Sequence, residues 1–273
     1  MQLQGKWPPI MDAMVQHVAP VDRKIINTVS RWRASPQKQS VSILHTTVSA
    51  LAGSILELCK VMDPCSAQVV ACLMRSLIEG CAGVFAFCEN PEKQAQRFLS
   101  YEYVNRYTWM LKRECNPQSR FANQTFFDAE AFRRAKAEVK AQLSQVGEEH
   151  LDTRRLGKKV PSEILDAALA KDNPRVFAQN WYGSSPRRVF ESEGMKGVGD
   201  YLYTVLCSAV HSDVSAHSLF ANANKMTPAM FSLMLWGAAT LKICESLGIT
   251  MESSRKSFLR NVCWRGLADE AGS

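Results

Sequence analysis

The chain has 273 residues, 46% of them hydrophobic, and carries 33 Lys and Arg against 26 Asp and Glu, a net charge of +7. That apolar content suffices for a proper core, and little strand-like alternation is present, so a β-rich class is excluded. Nine cysteines, an odd number with no C-x-x-C and no Cys/His zinc spacing, read as free thiols packed as small hydrophobes in a reducing cytosol; no metal and no cofactor is expected.

The first residues, MQLQGKWPPIMDAMVQ, lack the apolar core of a signal peptide. Residues 9–33 then read as a helix kinked or interrupted at Pro20, with Ile10, Met14, Val18, Val21, Ile25 and Val29 as its inner row. After the Ser35-Pro36 turn, the row Val41, Leu44, Val48, Leu51, Ile55, Leu58 predicts a helix over 37–62, and Ser42, Thr46, Ser49 and Gly53 form a small-residue face for close packing. His45 lies beside the apolar row, where a hydrogen-bonded structural histidine is the ordinary outcome.

Asp63-Pro64 marks the start of a third helix and Asn90-Pro91 its end. Apolar residues cover most of its circumference, as in the central helix of a bundle, yet Arg75 and Glu79 share one stripe with Gln68, Cys72, Ala82 and Ala86. That stripe is either a close-packing face or a narrow wet one. Glu before the cation would suit an isolated helix better, so the order Arg75 then Glu79 points away from local helix stability as its purpose.

The next helix, 91–114, interleaves Phe98, Tyr101, Tyr103, Tyr107 and Trp109 with Arg97 and Arg106. These read as core, with tyrosine hydroxyls at the rim. A charged outer helix spans 125–146, and 147–160 reads as a mobile connection. Residues 104–160 hold 12 Lys/Arg against 7 Asp/Glu, a region to which a small anion or nucleic acid could bind. Pro161–Lys171 and a segment capped by Ser185 with Pro186 at its first position are short helices. Asp200–Val210 runs into His211, Asp213 and His217, Thr227-Pro228 opens the next long helix, and Ser253–Ala268 is a final amphipathic piece. The apolar windows around 69–88 and 229–241 are broken by charge or too short to span a bilayer. The class is all-α, a multi-helix bundle of about eight to ten helices in a single domain with its core between about 37 and 247. It is expected in the cytoplasm, with a homo-oligomer as one form.

Arg75-Ser76-Leu77-x-Glu79, followed by Asn90-Pro91-Glu92, Arg97-Phe98-x-x-Tyr101, Trp181-Tyr182-Gly183 and the Tyr201 to His211 segment, resembles a widespread bacterial all-helical family of unknown function over residues 45–220. The resemblance implies that Arg75, Glu79, Tyr201 and His211 meet in one place, and it brings no activity. A looser likeness is to the HEPN helical superfamily, whose ribonucleases place an Arg four to six residues before a His; none of the five histidines here has one. Two functions follow: a binding or regulatory module with an Arg75/Glu79/Tyr201/His211 polar network, or a HEPN-like hydrolase on nucleotide or RNA, in stress or antiviral defence. In the second, His211 is the base, Glu79 orients it and Arg75 stabilises phosphate charge, with Asp213 and His217 nearby.

Overall fold

The computed structural model describes residues 9–61, 66–115, 129–156, 160–202 and 226–269. They form α1 (Pro9–Ser30), α2 (Pro36–Val61), α3 (Ser66–Glu89), α4 (Pro91–Cys115), α5 (Ala129–Val146), a 3-10 turn (Gly147–His150), α6 (Thr153–Leu156), α7 (Pro161–Ala170), α8 (Pro186–Ser192), α9 (Met226–Ser246), α10 (Ser253–Phe258) and α11 (Arg265–Asp269). A π-helical segment, Leu259–Trp264, joins the last two. Among the described residues there is no β-strand, and Leu151 and Phe177 make an isolated bridge. The protein is all-α. Expected as one domain, the chain groups into two compact units, one of Met1–Glu92 with Ser185–Ser273 and one of Lys93–Ser184.

The helix ends follow the local chemistry read above. Ser35 Oγ accepts from Lys38 N at 3.1 Å and Pro36 occupies the first helical position of α2. The Lys38 ammonium turns back to the carbonyls of Ser30 and Trp32, both at 2.8 Å, and so closes α1. Ser185 caps α8 in the same way, accepting from Arg188 N. α1 continues through Pro20, where a kink or an interruption was expected. The proline lacks the N–H that would bind the Gln16 carbonyl, and Arg255 Nη1 takes its place at 2.9 Å.

In the first unit α3 packs against α2, α8 and α9, and α1 lies on α9 and α2. Met14, Val18, Val21, Ile25 and Val29 are buried as the inner row of α1. On α2 the buried set is Val41, Leu44, Val48, Ala52, Ile55, Leu56 and Cys59. The small-residue face differs from expectation: Ser42 and Thr46 are exposed, and the close approach is made instead by Gly80 of α3, where a Cβ would meet Val48 at 3.3 Å. Gly237 of α9 likewise leaves room for Cys263, whose Sγ would lie 2.4 Å from an added Cβ.

In the second unit α5 packs on the 3-10 turn and on α7. Residues 147–152, expected within a mobile connection, contribute buried Gly147, His150, Leu151 and Asp152. Asp152 N donates to Val176 O and Ala178 N to His150 O, each at 2.8 Å, on either side of the bridge.

By length and composition, α2 over Pro36–Lys60 and α3 over Gln68–Glu89 could each cross a membrane; 39% and 61% of their apolar windows are buried inside the protein. The described cysteines are free: Cys59, Cys81, Cys88, Cys244 and Cys263 are buried and Cys72 is exposed. Burial pushes the Cys88, Cys244 and Cys263 thiols up to about 12. Thiolate is the reactive form, so a brief pulse of alkylating agent on the native protein should label Cys72 and spare these three until denaturant is added. Peptide mass mapping checks this; labelling of Cys88 at the rate of Cys72 would contradict the packing described.

Candidate functional site

Arg75 and Glu79 sit one turn apart on α3, with Nε and Oε1 3.2 Å apart. Their side chains keep 29% and 45% of their surface exposed. The stripe they share divides along its length: Gln68 and Cys72 are exposed, Ala82 and Ala86 are buried. The N-terminal half is therefore the wet face and the C-terminal half the packing face. An exposed i, i+4 pair contributes about 0.3–0.5 kcal/mol. The Tyr201 side chain, His211, Asp213 and His217 lie outside the described residues.

A second polar cluster belongs to the 93–184 unit and joins two motifs that stand far apart in sequence. Gln94, Arg97 and Tyr101 share a face of α4, at i, i+3 and i+7. Tyr101 donates its hydroxyl to Ala178 O at 2.7 Å, the Phe98 ring meets Trp181 edge-on with centroids 5.2 Å apart, and Arg97 Nη2 lies against Gly183, 2.8 Å from where a Cβ would stand. Gly183 also has φ +68°. The positive φ favours glycine there. Segment 178–183 thus runs antiparallel to 97–101, and the Arg97-Phe98-x-x-Tyr101 and Trp181-Tyr182-Gly183 motifs are halves of one contact.

His150 completes the cluster. Its Nε2 and Ser100 Oγ are 2.8 Å apart and its ring is 0% exposed. Burial, aided by the positive charge of Arg97, pulls its pKa down to about 4, so the imidazole is neutral at pH 7. Burial also lowers Arg97, an effect Glu149 opposes, and raises the Tyr101 hydroxyl to about 12. Gln94 Oε1, Arg97 Nε, His150 Nδ1 and Asn180 Oδ1 are buried without hydrogen-bond partners. The Ser100–His150 pair is of the kind that activates a nucleophile, but with the ring sealed from solvent it serves to fasten α4 to the 3-10 turn.

Sequence reasoning missed His150 because GEEH is a charged run without apolar period. The available signal was the histidine itself, a residue that titrates near neutrality, set between helix α5 and the apolar Leu151.

The first unit holds a third set. His45 Nε2 stands 2.9 Å from Asp22 Oδ1, close but poorly aligned for a hydrogen bond. Trp236 Nε1 donates to the same oxygen at 2.9 Å, and Ser49 Oγ donates to it at short range. Burial pushes the Asp22 carboxyl up, and the contacts from His45, Ser49 and Trp236 outweigh that and hold it below the usual range. These are the residue types of a hydrolytic triad in the wrong order: the serine proton goes to the carboxylate and not to the imidazole. The set is structural, as the sequence suggested for His45.

The basic surplus of 104–160 is partly consumed by ion pairs. Lys136 bonds Glu114 at 2.6 Å and Asp172 at 2.9 Å, and Lys140 reaches Asp172 at 2.6 Å. Tyr107 donates to the same carboxylate at 3.0 Å. Burial would raise Asp172, but the bonds from Lys140, Lys136 and Tyr107 hold it at about 2. Trp109, expected in the core, is 51% exposed, with the Arg113 guanidinium 5.5 Å from its ring centroid.

The geometry defines an all-helical protein with an accessible charged pair on an apolar helix and two polar networks, one around buried Asp22 and one around buried His150. No curated protein and no solved structure matches it. The chain belongs to the Family of unknown function (DUF5677), whose model matches residues 40–226 and so takes in Arg75, Glu79, both halves of the α4 contact and His150.

Proposed function

We propose that this chain is a binding or regulatory module of the cytoplasm that receives a small anionic ligand at Arg75 and Glu79, with Tyr201 and His211 completing the site. The observation that supports this reading is the accessible Arg75–Glu79 pair on the wet half of α3, where a guanidinium and a carboxylate reach water from an otherwise apolar helix. Glu79 holds the guanidinium in place, and the guanidinium presents planar donors that suit a carboxylate or phosphoryl group.

Thermal-shift titration with adenosine monophosphate tests it. The melting midpoint of the native chain should rise with nucleotide. In Arg75→Ala the rise should vanish, while the ligand-free midpoint moves by no more than about 2 °C. An equal rise in the variant would end the proposal. Wild-type hydrolysis of RNA or nucleotide that disappears in folded His211→Ala would replace it with the hydrolase reading, in which His211 is the base, Glu79 its orienting group and Arg75 the phosphate stabiliser. Exposed Ile26, Ile43 and Val69 on the same unit support self-association, and light scattering that gives a monomer would remove that part.

A further inference from the structure

We infer that the second half of α1 forms a binding site for a small ligand carrying two or more phosphoryl groups. Pro20, Arg23, Lys24, Asn27, Thr28 and Arg31 line an open cavity of about 470 Å³, within the roughly 300–1,000 Å³ usual for small-ligand sites. Arg23, Asn27 and Arg31 recur every four residues, so they stack along one face with a rise of about 6 Å per step. Every lining side chain except Pro20 offers a hydrogen-bond donor, and no carboxylate is among them.

The charge around this cavity is unbalanced in the sequence itself. Between Asp22 and Glu57 the chain carries Arg23, Lys24, Arg31, Arg33 and Lys38 and no Asp or Glu. The carboxylate next to Arg23 in the chain, Asp22, is buried among His45, Ser49 and Trp236 on the opposite side of the helix, and Glu245, near Lys24 through Cys244, is paired with Lys256 and Arg260. Lys24 Nζ has the Thr250 hydroxyl at 3.4 Å, and no described carboxylate pairs with Arg23, Lys24 or Arg31. Three cations facing one concavity without counter-charge repel one another, and an anion set among them relieves that repulsion.

The spacing selects the anion. By helical rise Arg23 and Arg31, the latter in the turn that closes α1, are separated by about 12 Å along the axis, so a single phosphate engages one guanidinium well, whereas a chain of phosphoryl groups engages both and leaves Lys24, Asn27 and Thr28 to the oxygens between. None of the lining residues is aromatic, so the site has no platform for stacking a base. It reads phosphoryl groups, and it lies on a different helix from Arg75.

Calorimetric titration of the full chain with tripolyphosphate, inorganic phosphate and a single-stranded oligonucleotide at low salt tests this. Tripolyphosphate should bind saturably and at least tenfold more tightly than phosphate. Arg23→Gln with Arg31→Gln should weaken it at least tenfold, while Arg75→Ala leaves it unchanged. Both arginines are exposed, so the double variant should keep the native melting midpoint. Absence of saturable binding, equal affinity in the double variant, or tighter binding of the oligonucleotide than of tripolyphosphate would each overturn the assignment.

Discussion

Asp22→Ala should lower the unfolding free energy by about 3–5 kcal/mol, the range for removing one partner of a buried charged set. The Asp22 carboxylate is the common acceptor for Ser49 and the Trp236 indole and stands 2.9 Å from His45. Its loss leaves His45 facing apolar side chains and Trp236 and Ser49 only with each other, at 3.2 Å. The contrast with Trp236→Phe is informative, because that change removes one donor and leaves the carboxylate with the Ser49 hydroxyl and with His45 beside it. It should cost about 1–3 kcal/mol. Denaturant midpoints with unchanged slopes would measure both. A loss below 1 kcal/mol in Asp22→Ala would mean the network is not a fastener of this unit. The sign with pH follows from the direction of the shift: a carboxyl held below its ordinary value stabilises the fold above pH 3.8, and that contribution fades as pH falls through the lowered value.

Mild acid should act on the other unit through His150. Its folded pKa of about 4 lies below the ordinary 6.5 because burial and Arg97 disfavour the charged ring. Between these values the unfolded chain binds the proton more readily, so stability falls as pH drops from 6.5 to about 4. The full effect is about 3 kcal/mol. Below pH 4 the His150 contribution levels off, and the loss of Asp172, held at about 2, begins. In His150→Gln the amide still reaches Ser100 and carries no titrating proton, so the difference from wild type should shrink steadily across that window. Hydrogen exchange of amides in 93–184 at pH 7 and pH 4.5 would localise the effect. Parallel pH curves for wild type and variant would refute it.

The two networks show where local reading stops. A period of 3.6 is a property of neighbouring residues, and so the inner row of α1, the turn at Ser35-Pro36 and the cap at Ser185 could be read directly. That His45 was a structural residue could also be read, from its place beside an apolar row. Its partner could not. Trp236 reaches Asp22 across 214 residues and Ser100 meets His150 across 50, and neither pairing leaves a periodic trace. Pro20 is a similar case: the missing N–H was visible, but the Arg255 guanidinium that takes the Gln16 carbonyl was not.

By itself the sequence determined an all-α chain with α3 at its apolar centre, the end of α3 at Asn90-Pro91, the start of α8 at Ser185 and the side of α3 that carries Arg75 and Glu79; the α3 start expected at Asp63-Pro64 lies outside the described residues. Apolar period and capping chemistry act within a turn or two, and that range is enough. Only the tertiary structure decided that this pair keeps contact with water, that GEEH closes over a neutral histidine and that Arg97 lies on Gly183. A polar group's burial depends on which distant segment supplies its partner, and that is settled by packing rather than by its neighbours in the chain.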